Sequence, residues 1–362
     1  MPAEVTTPQV SITIPPVYLP EPLYCHPQVA LLQDRGLSWM ERHGFLADQA
    51  MRTRVADSRA AHFFAYPCPR ADADLLQLAV DWAYLMFVFD DVHEGNFGGD
   101  NFAFLDLAVR IIRTLEVPSA GVLDSEHPFT GAVTDLARRL HRSACPEQIK
   151  RLADAHTTWL MGMGWEIPAT QRDVHQPVND YVVTRMMHGA VAPTLCWLQL
   201  AEGELIPESE ITSPRVRALT EMAGTVAALD DDLYSYGKDV WFERNVWGRT
   251  PRYSSMIRVF MSEQSMTEDE ALAECVVLRD RIVARFYELR AQVFQGASRS
   301  LTRYLDDLGF LLRGNFEYGL EADRYTNPDG SHPNAVVTNG SVSDAPSASG
   351  RPGIAAIDWW WD

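Results

Sequence analysis

From His26 to about residue 323, apolar positions recur at intervals of three and four residues, the period of one helical face. The pattern predicts helices over Ala30–Met40, Asp48–Val55 and Ala71–Glu94, then near 101–116, 128–142 and 147–166. Further helices are expected from Pro177 to Gly203, from Pro214 to Val246, and at about 267–294 and 299–323. Pro67-Cys68-Pro69 separates the second helix from the third, and Gly95-Asn96-Phe97-Gly98-Gly99 ends the third. Strand alternation is nearly absent and the connections are short, so residues 25–326 read as one all-α domain. The two ends break the pattern. Prolines at 2, 8, 15, 16, 20 and 22 forbid a helix and predict an extended arm over residues 1–24. Over 327–362, Pro, Gly, Ser and Asn dominate, and apolar residues are too sparse to offset ordering entropy. That stretch is expected to be a disordered tail, although it ends in Ile357-Asp358-Trp359-Trp360-Trp361.

Composition narrows the partners. The 362 residues carry a net charge of −18 and 46% hydrophobic positions, enough for a sizeable core. So negative a chain is not built for nucleic acid or an anionic membrane surface. Five scattered cysteines, none in CxxC spacing, suit a reducing compartment. No apolar run reaches a bilayer-spanning length and no leader pattern is present, so a cytoplasmic protein with no membrane span is expected.

Candidate chemistry sits at four places. Asp90-Asp91-Val92-His93-Glu94 closes the long apolar run from Leu75 to Phe89, with Asp90 and Glu94 one helical turn apart. Buried carboxylates need a partner, and hard oxygen donors suit a divalent cation; taken alone, the motif reads first as a solvated acidic helix end. Asp231, Ser235 and Asp239 stand at i, i+4 and i+8, a second row of oxygen groups on one helix face that, taken alone, reads equally as a cation site and as a solvated acidic patch. Pro193 cannot donate to the Gly189 carbonyl and clashes with it, so the helix should break there, with Arg185 one turn before. Arg324-Tyr325 lies at the end of the helical body. Asp306-Asp307 reads as a surface pair, and Asp72-Ala73-Asp74-Leu75 lacks the last aspartate of a DxDD motif.

Together these residues resemble the bacterial type of class I terpene synthase, over roughly residues 20–326. Asp90-Asp91-Val92-His93-Glu94 resembles that family's DDxxD/E motif, and Asp231 to Asp239 its NDxxSxxxE motif. Arg185 resembles the diphosphate sensor, Gly189 the effector carbonyl, and Arg324-Tyr325 the C-terminal RY pair. The chain departs from the pattern at Asp231 (usually Asn), at Asp239 (usually Glu), at His188 between sensor and effector, and at Tyr318, where a Trp is common. The resemblance implies a single-domain class I terpenoid-synthase helical bundle around a central apolar cavity. It implies a linear prenyl diphosphate substrate, three Mg²⁺ ions with Mn²⁺ as the substitute, and cyclisation of an allylic cation to a terpene hydrocarbon or alcohol. The implied metal ligands are Asp90, Asp91, Glu94, Asp231, Ser235 and Asp239. Arg185, Gly189, Lys238, Arg324 and Tyr325 would act on the diphosphate. Phe64, Tyr84, Phe87, Trp165, Trp197, Phe316 and Tyr318 are the aromatic candidates for the cavity, and Met86, Met161, Met163, Met186 and Met187 its flexible walls. A homodimer, the C10, C15 or C20 chain length and the product stay open. So do two rivals, a chain-elongating isoprenyl diphosphate synthase and a non-catalytic prenyl-binding protein.

Overall fold

A computed structural model describes residues 9–94, 100–248 and 254–362 of the chain. The extended arm holds β1 (Val10–Thr13) and β2 (Val17–Tyr18). The helices follow as α1 (Val29–Arg42), α2 (Gln49–Asp57), α3 (Ala60–Ala65), α4 (Ala73–Glu94), α5 (Asn101–Glu116), α6 (Thr130–Ser143) and α7 (Pro146–Gln171). Then come α8 (Val178–His188), α9 (Val191–Ala201), α10 (Glu208–Ile211), α11 (Pro214–Asn245), α12 (Met256–Glu263), α13 (Glu268–Val293) and α14 (Arg299–Glu321). Two more short strands, β3 (Val336–Asn339) and β4 (Val342–Ser343), lie in the C-terminal segment.

Local signals set several of these ends. Asp48 caps α2 by accepting from the Met51 amide at 2.8 Å, Thr267 and Glu270 form a capping box on α13, and Pro146 starts α7. Asp72, which the DxDD comparison set aside, caps α4 by accepting from the Asp74 and Leu75 amides. The expected break falls between α8 and α9, where Ala190 takes φ of +55° in the left-handed region. The short helices α3 and α12 have no counterpart in the sequence pattern.

Long helices α4, α7, α11 and α14 stand around a common interior, with α8 and α9 completing the wall. Helix α11 is central: it packs on α13 and α14 and is buried along most of its 32 residues.

Two expectations fail. The C-terminal segment is ordered, not a disordered tail. β3 pairs in parallel with β1, Val10 opposite Val336, and β4 pairs with β2. Trp360 is 1% exposed, and its indole donates to Glu221 at 3.1 Å. Low apolar content misleads because Val336, Ile357 and Trp360 are buried on the helical body and Val342, Ile354, Trp359 and Trp361 pack partly against it. Asp307 is no surface residue either. It is fully buried, paired with Arg70 at 3.1 Å, and its carboxyl is pushed up to about 9 by burial and by Glu202.

Candidate active site

One cavity opens in the middle of the bundle, and most of the residues singled out by sequence converge on it. Asp90 comes from the end of α4, and Arg185, His188 and Gly189 from the α8 end and its break. Asp231, Ser235, Lys238 and Asp239 come from α11, and Arg324 and Tyr325 from the short turn after α14. Most of the remaining wall is apolar and aromatic, Phe63, Trp82, Met86, Phe87, Trp159 and Tyr318 among others.

Helical phase explains which aromatics reach it. Along α4, residues 82, 83, 86, 87 and 90 share the inward face. Of the seven aromatics expected there, Phe87 and Tyr318 line the cavity. Phe64, Tyr84, Trp197 and Phe316 are packed in the core, Tyr84 against Gly36, and Trp165 is 40% exposed beside a different cleft. Of the five methionines only Met86 lines the cavity; Met161 is exposed. Trp82 and Trp159 were missed, although Asp81-Trp82 precedes the acidic motif by a helical interval. Both rings are held by hydrogen bonds: Trp82 donates to His156 Nε2 at 2.8 Å, and Trp159 to the His188 carbonyl at 3.1 Å.

The acidic side chains differ sharply in their partners. Asp91 accepts from Arg54 at 3.0 and 2.9 Å and from Arg324 at 2.9 and 2.7 Å, so both oxygens are engaged by two guanidinium forks. Burial alone would raise its pKa, but Arg324 and Arg54 overcome that and hold it well below the usual range. Asp90 has no hydrogen bond among the described residues, and burial pushes its carboxyl up to about 6 against the opposing pull of Arg324. Arg185 donates to Asp231 at 2.6 Å and lies 2.9 Å from Asp232, which also accepts from Tyr181 and the Met256 amide at 2.9 Å each. Asp230 faces away and pairs with buried Arg279 at 2.6 Å. Asp239 is 6% exposed; its Oδ1 lies 3.4 Å from Lys238 Nζ and makes no hydrogen bond. Burial raises its pKa, with Lys238 and Arg258 acting against the rise. Glu94 is the last residue of α4, and its side chain lies outside the described residues.

Two further side chains complete the site. Glu166 of α7 lies 3.3 Å from the His188 ring; burial raises this carboxyl to about 7 and keeps His188 neutral. Arg54 of α2 was missed because nothing in its polar, weakly amphipathic helix marks it. Arg324 also lies 4.9 Å from the Phe87 ring centroid, and the Tyr325 hydroxyl is 3.5 Å from Asp231.

These donors suit a hard cation. Asp239 carries a buried carboxylate oxygen without a partner, the half-buried Asp90 carboxylate has no hydrogen-bond partner among the described residues, Ser235 adds a hydroxyl, and all three face one cavity. Among the described residues no three ligands form a ready-made cage, because arginines occupy Asp91 and Asp231.

The bundle's fold is shared with the solved structure of the SVS_A2 protein from ancestral sequence reconstruction. That protein is 34% identical, with a TM-score of 0.83 over 96% of this chain and 98% of its own. Residues 81–285 match the family model described as terpene synthase family 2, C-terminal metal binding. Phomopsene synthase of Allokutzneria albata is 55% identical over 97% of both chains. The diterpene cyclase DtcycA of a Streptomyces species is 30% identical over 98% of this chain and 97% of its own. The chain belongs to the bacterial class I terpene synthases, and a dependence on divalent metal comes with that family. No helix among the described residues is long and apolar enough to cross a membrane.

Proposed function

We propose that this terpene cyclase ionises geranylgeranyl diphosphate, the C20 member of the prenyl diphosphates, and closes the resulting cation within the aromatic pit. The observation that carries the reaction is the placement of Arg185, Lys238, Arg324 and Tyr325 around the acidic rows at one end of an apolar cavity. The C20 choice is supported by the full-length likeness to a protein named a diterpene cyclase. Asp90, Asp231, Ser235 and Asp239 would hold Mg²⁺, three ions in the family pattern, with Glu94 at the end of the first row. When bound, the cations supply Lewis-acid charge that offsets the diphosphate. Asp91 has both oxygens in arginine forks, so its part is to fix Arg324 and Arg54.

The side chains then divide the work. Arg185 exchanges Asp231 for the diphosphate, and Lys238, Arg324 and Tyr325 donate to the same group. The C–O bond breaks with its electron pair leaving on diphosphate, and these donors stabilise that charge. The allylic cation stays among Phe63, Trp82, Phe87, Trp159 and Tyr318, whose ring faces stabilise it and whose packing excludes water. Loss of a proton, or capture of water, ends the sequence.

Incubation with geranyl, farnesyl and geranylgeranyl diphosphates plus Mg²⁺, with and without isopentenyl diphosphate, tests the reading. Cyclic C20 products and diphosphate release from the C20 substrate are expected. A preference for C15 would overturn the chain length; longer diphosphates would mark an elongating enzyme, and no release a binding protein.

A further inference from the structure

The paired chain ends bear on the acidic helix from outside. Gly237 stands between Ser235 and Asp239 but about half a turn round α11 from both, facing away from the cavity. A Cβ there would meet Val336 Cγ1 at 2.7 Å, Ile12 Cγ1 at 3.2 Å and the Thr338 hydroxyl at 3.4 Å. The β1–β3 ribbon therefore rests on the backbone of α11, with no side chain between them. Trp241, one turn on, donates to Gln9 at 2.9 Å. The segment before β3 reaches the other row: the Pro328 carbonyl accepts from Arg54, which holds Asp91, and Asn327 donates to Asp57 of α2 at 2.9 Å.

We propose that the joined termini are a positioning brace for both acidic rows, β3 fixing the Ser235–Asp239 row through Gly237 and the 327–328 turn fixing Asp91 through Arg54. The proposal rests on the metal-binding reading of those rows. Metal ligation tolerates displacements of only about 0.2 Å, and Asp239 is one methylene shorter than the family's usual glutamate. Such a short ligand demands a helix held in one place. A ribbon seated on bare backbone passes any movement of its own to the carboxylate two residues away.

Gly237→Ala tests this, because alanine ordinarily strengthens a helix interior and any harm reports the collision. Two readouts are taken: binding of Mg²⁺ with inorganic diphosphate by calorimetry, and amide hydrogen exchange along α11. Gly237→Ala should weaken Mg²⁺–diphosphate binding at least tenfold and speed exchange around residues 235–241. Adding Val336→Ala, which removes the nearest methyls, should bring both back to within about threefold. Ile12→Ala with Val336→Ala in the Gly237 background thins the ribbon with no collision, and should loosen binding and exchange in the same sense in a chain that folds. Unchanged binding and exchange in Gly237→Ala and in the thinned ribbon overturns the brace, as does a loss that Val336→Ala leaves uncorrected. Should wild-type protein bind no Mg²⁺–diphosphate, the metal reading fails by itself; exchange then decides whether the ribbon holds α11.

Discussion

Two neighbouring aspartates should respond oppositely to the same substitution. Asp90 is half-buried with no side-chain hydrogen bond among the described residues, whereas Asp91 is held in two guanidinium forks. A rise from 3.8 to about 6 in the folded state means that ionised Asp90 costs up to about 3 kcal/mol at pH 7. Asp90 is partly open to the cavity, and solvent screening reduces that to about 1.5 kcal/mol. Removing one partner of a buried ion pair costs about 3 kcal/mol or more, so Asp91→Asn strands two guanidiniums at that scale. Unfolding entropy of about 2.1 cal/mol/K per residue over 362 residues makes each kelvin of Tm worth roughly 0.8 kcal/mol. Asp90→Asn should therefore raise the Tm of metal-free protein by about 2 °C, and Asp91→Asn should lower it by about 4 °C. Both variants should lose diphosphate release, the first with loss of Mg²⁺ dependence. Differential scanning fluorimetry in EDTA at pH 7, paired with a diphosphate assay, reads both effects. Shifts of the same sign in the two variants would refute the division of roles.

Three further outcomes follow from the same geometry. Asp307 keeps its proton in the folded state to about pH 9 but loses it near 3.8 when unfolded; stability from this group is full below about pH 4 and lost as pH rises towards 9. Between pH 6 and pH 8 the wild type should therefore lose about 3.5 °C more in Tm than Asp307→Asn, at about 1.4 kcal/mol per pH unit, and equal slopes would count against it. Asp239→Asn should raise the half-saturating Mg²⁺ concentration at least about tenfold, since a neutral amide ligates poorly, as a metal titration of turnover would show. Arg324→Lys keeps the charge but loses the fork on Asp91, and kcat should fall on the order of 10²-fold with little change in secondary structure by circular dichroism.

The helices were legible because their periodicity is local: Asp48, Pro146 and Pro193 mark their own boundaries within a turn. Arg185, Asp231 and Arg324 were also legible, since each stands in a short motif on one helix end or face. What failed was non-local. Val336 and Trp360 are isolated apolar residues in a polar stretch, and their burial depends on surfaces contributed by α11 and by the arm. Asp307 looked solvated because its partners, Arg70 and Glu202, lie more than a hundred residues away in sequence. Arg54 has no local signature at all; only the fold puts it beside Asp91. Among the aromatics, Tyr84 and Trp82 are two residues apart on one helix, and composition could not say which faced inward.

The pairing of Val10 with Val336 also bears on the order of synthesis. β1 precedes the helices in the chain and β3 follows them, so during synthesis the arm waits without its partner while the helical body emerges. The long loop closure this requires makes the ribbon a late event in folding. A nascent chain can thus complete its helices before these strands meet, and the arrival of β3 and β4 decides when the fold is finished.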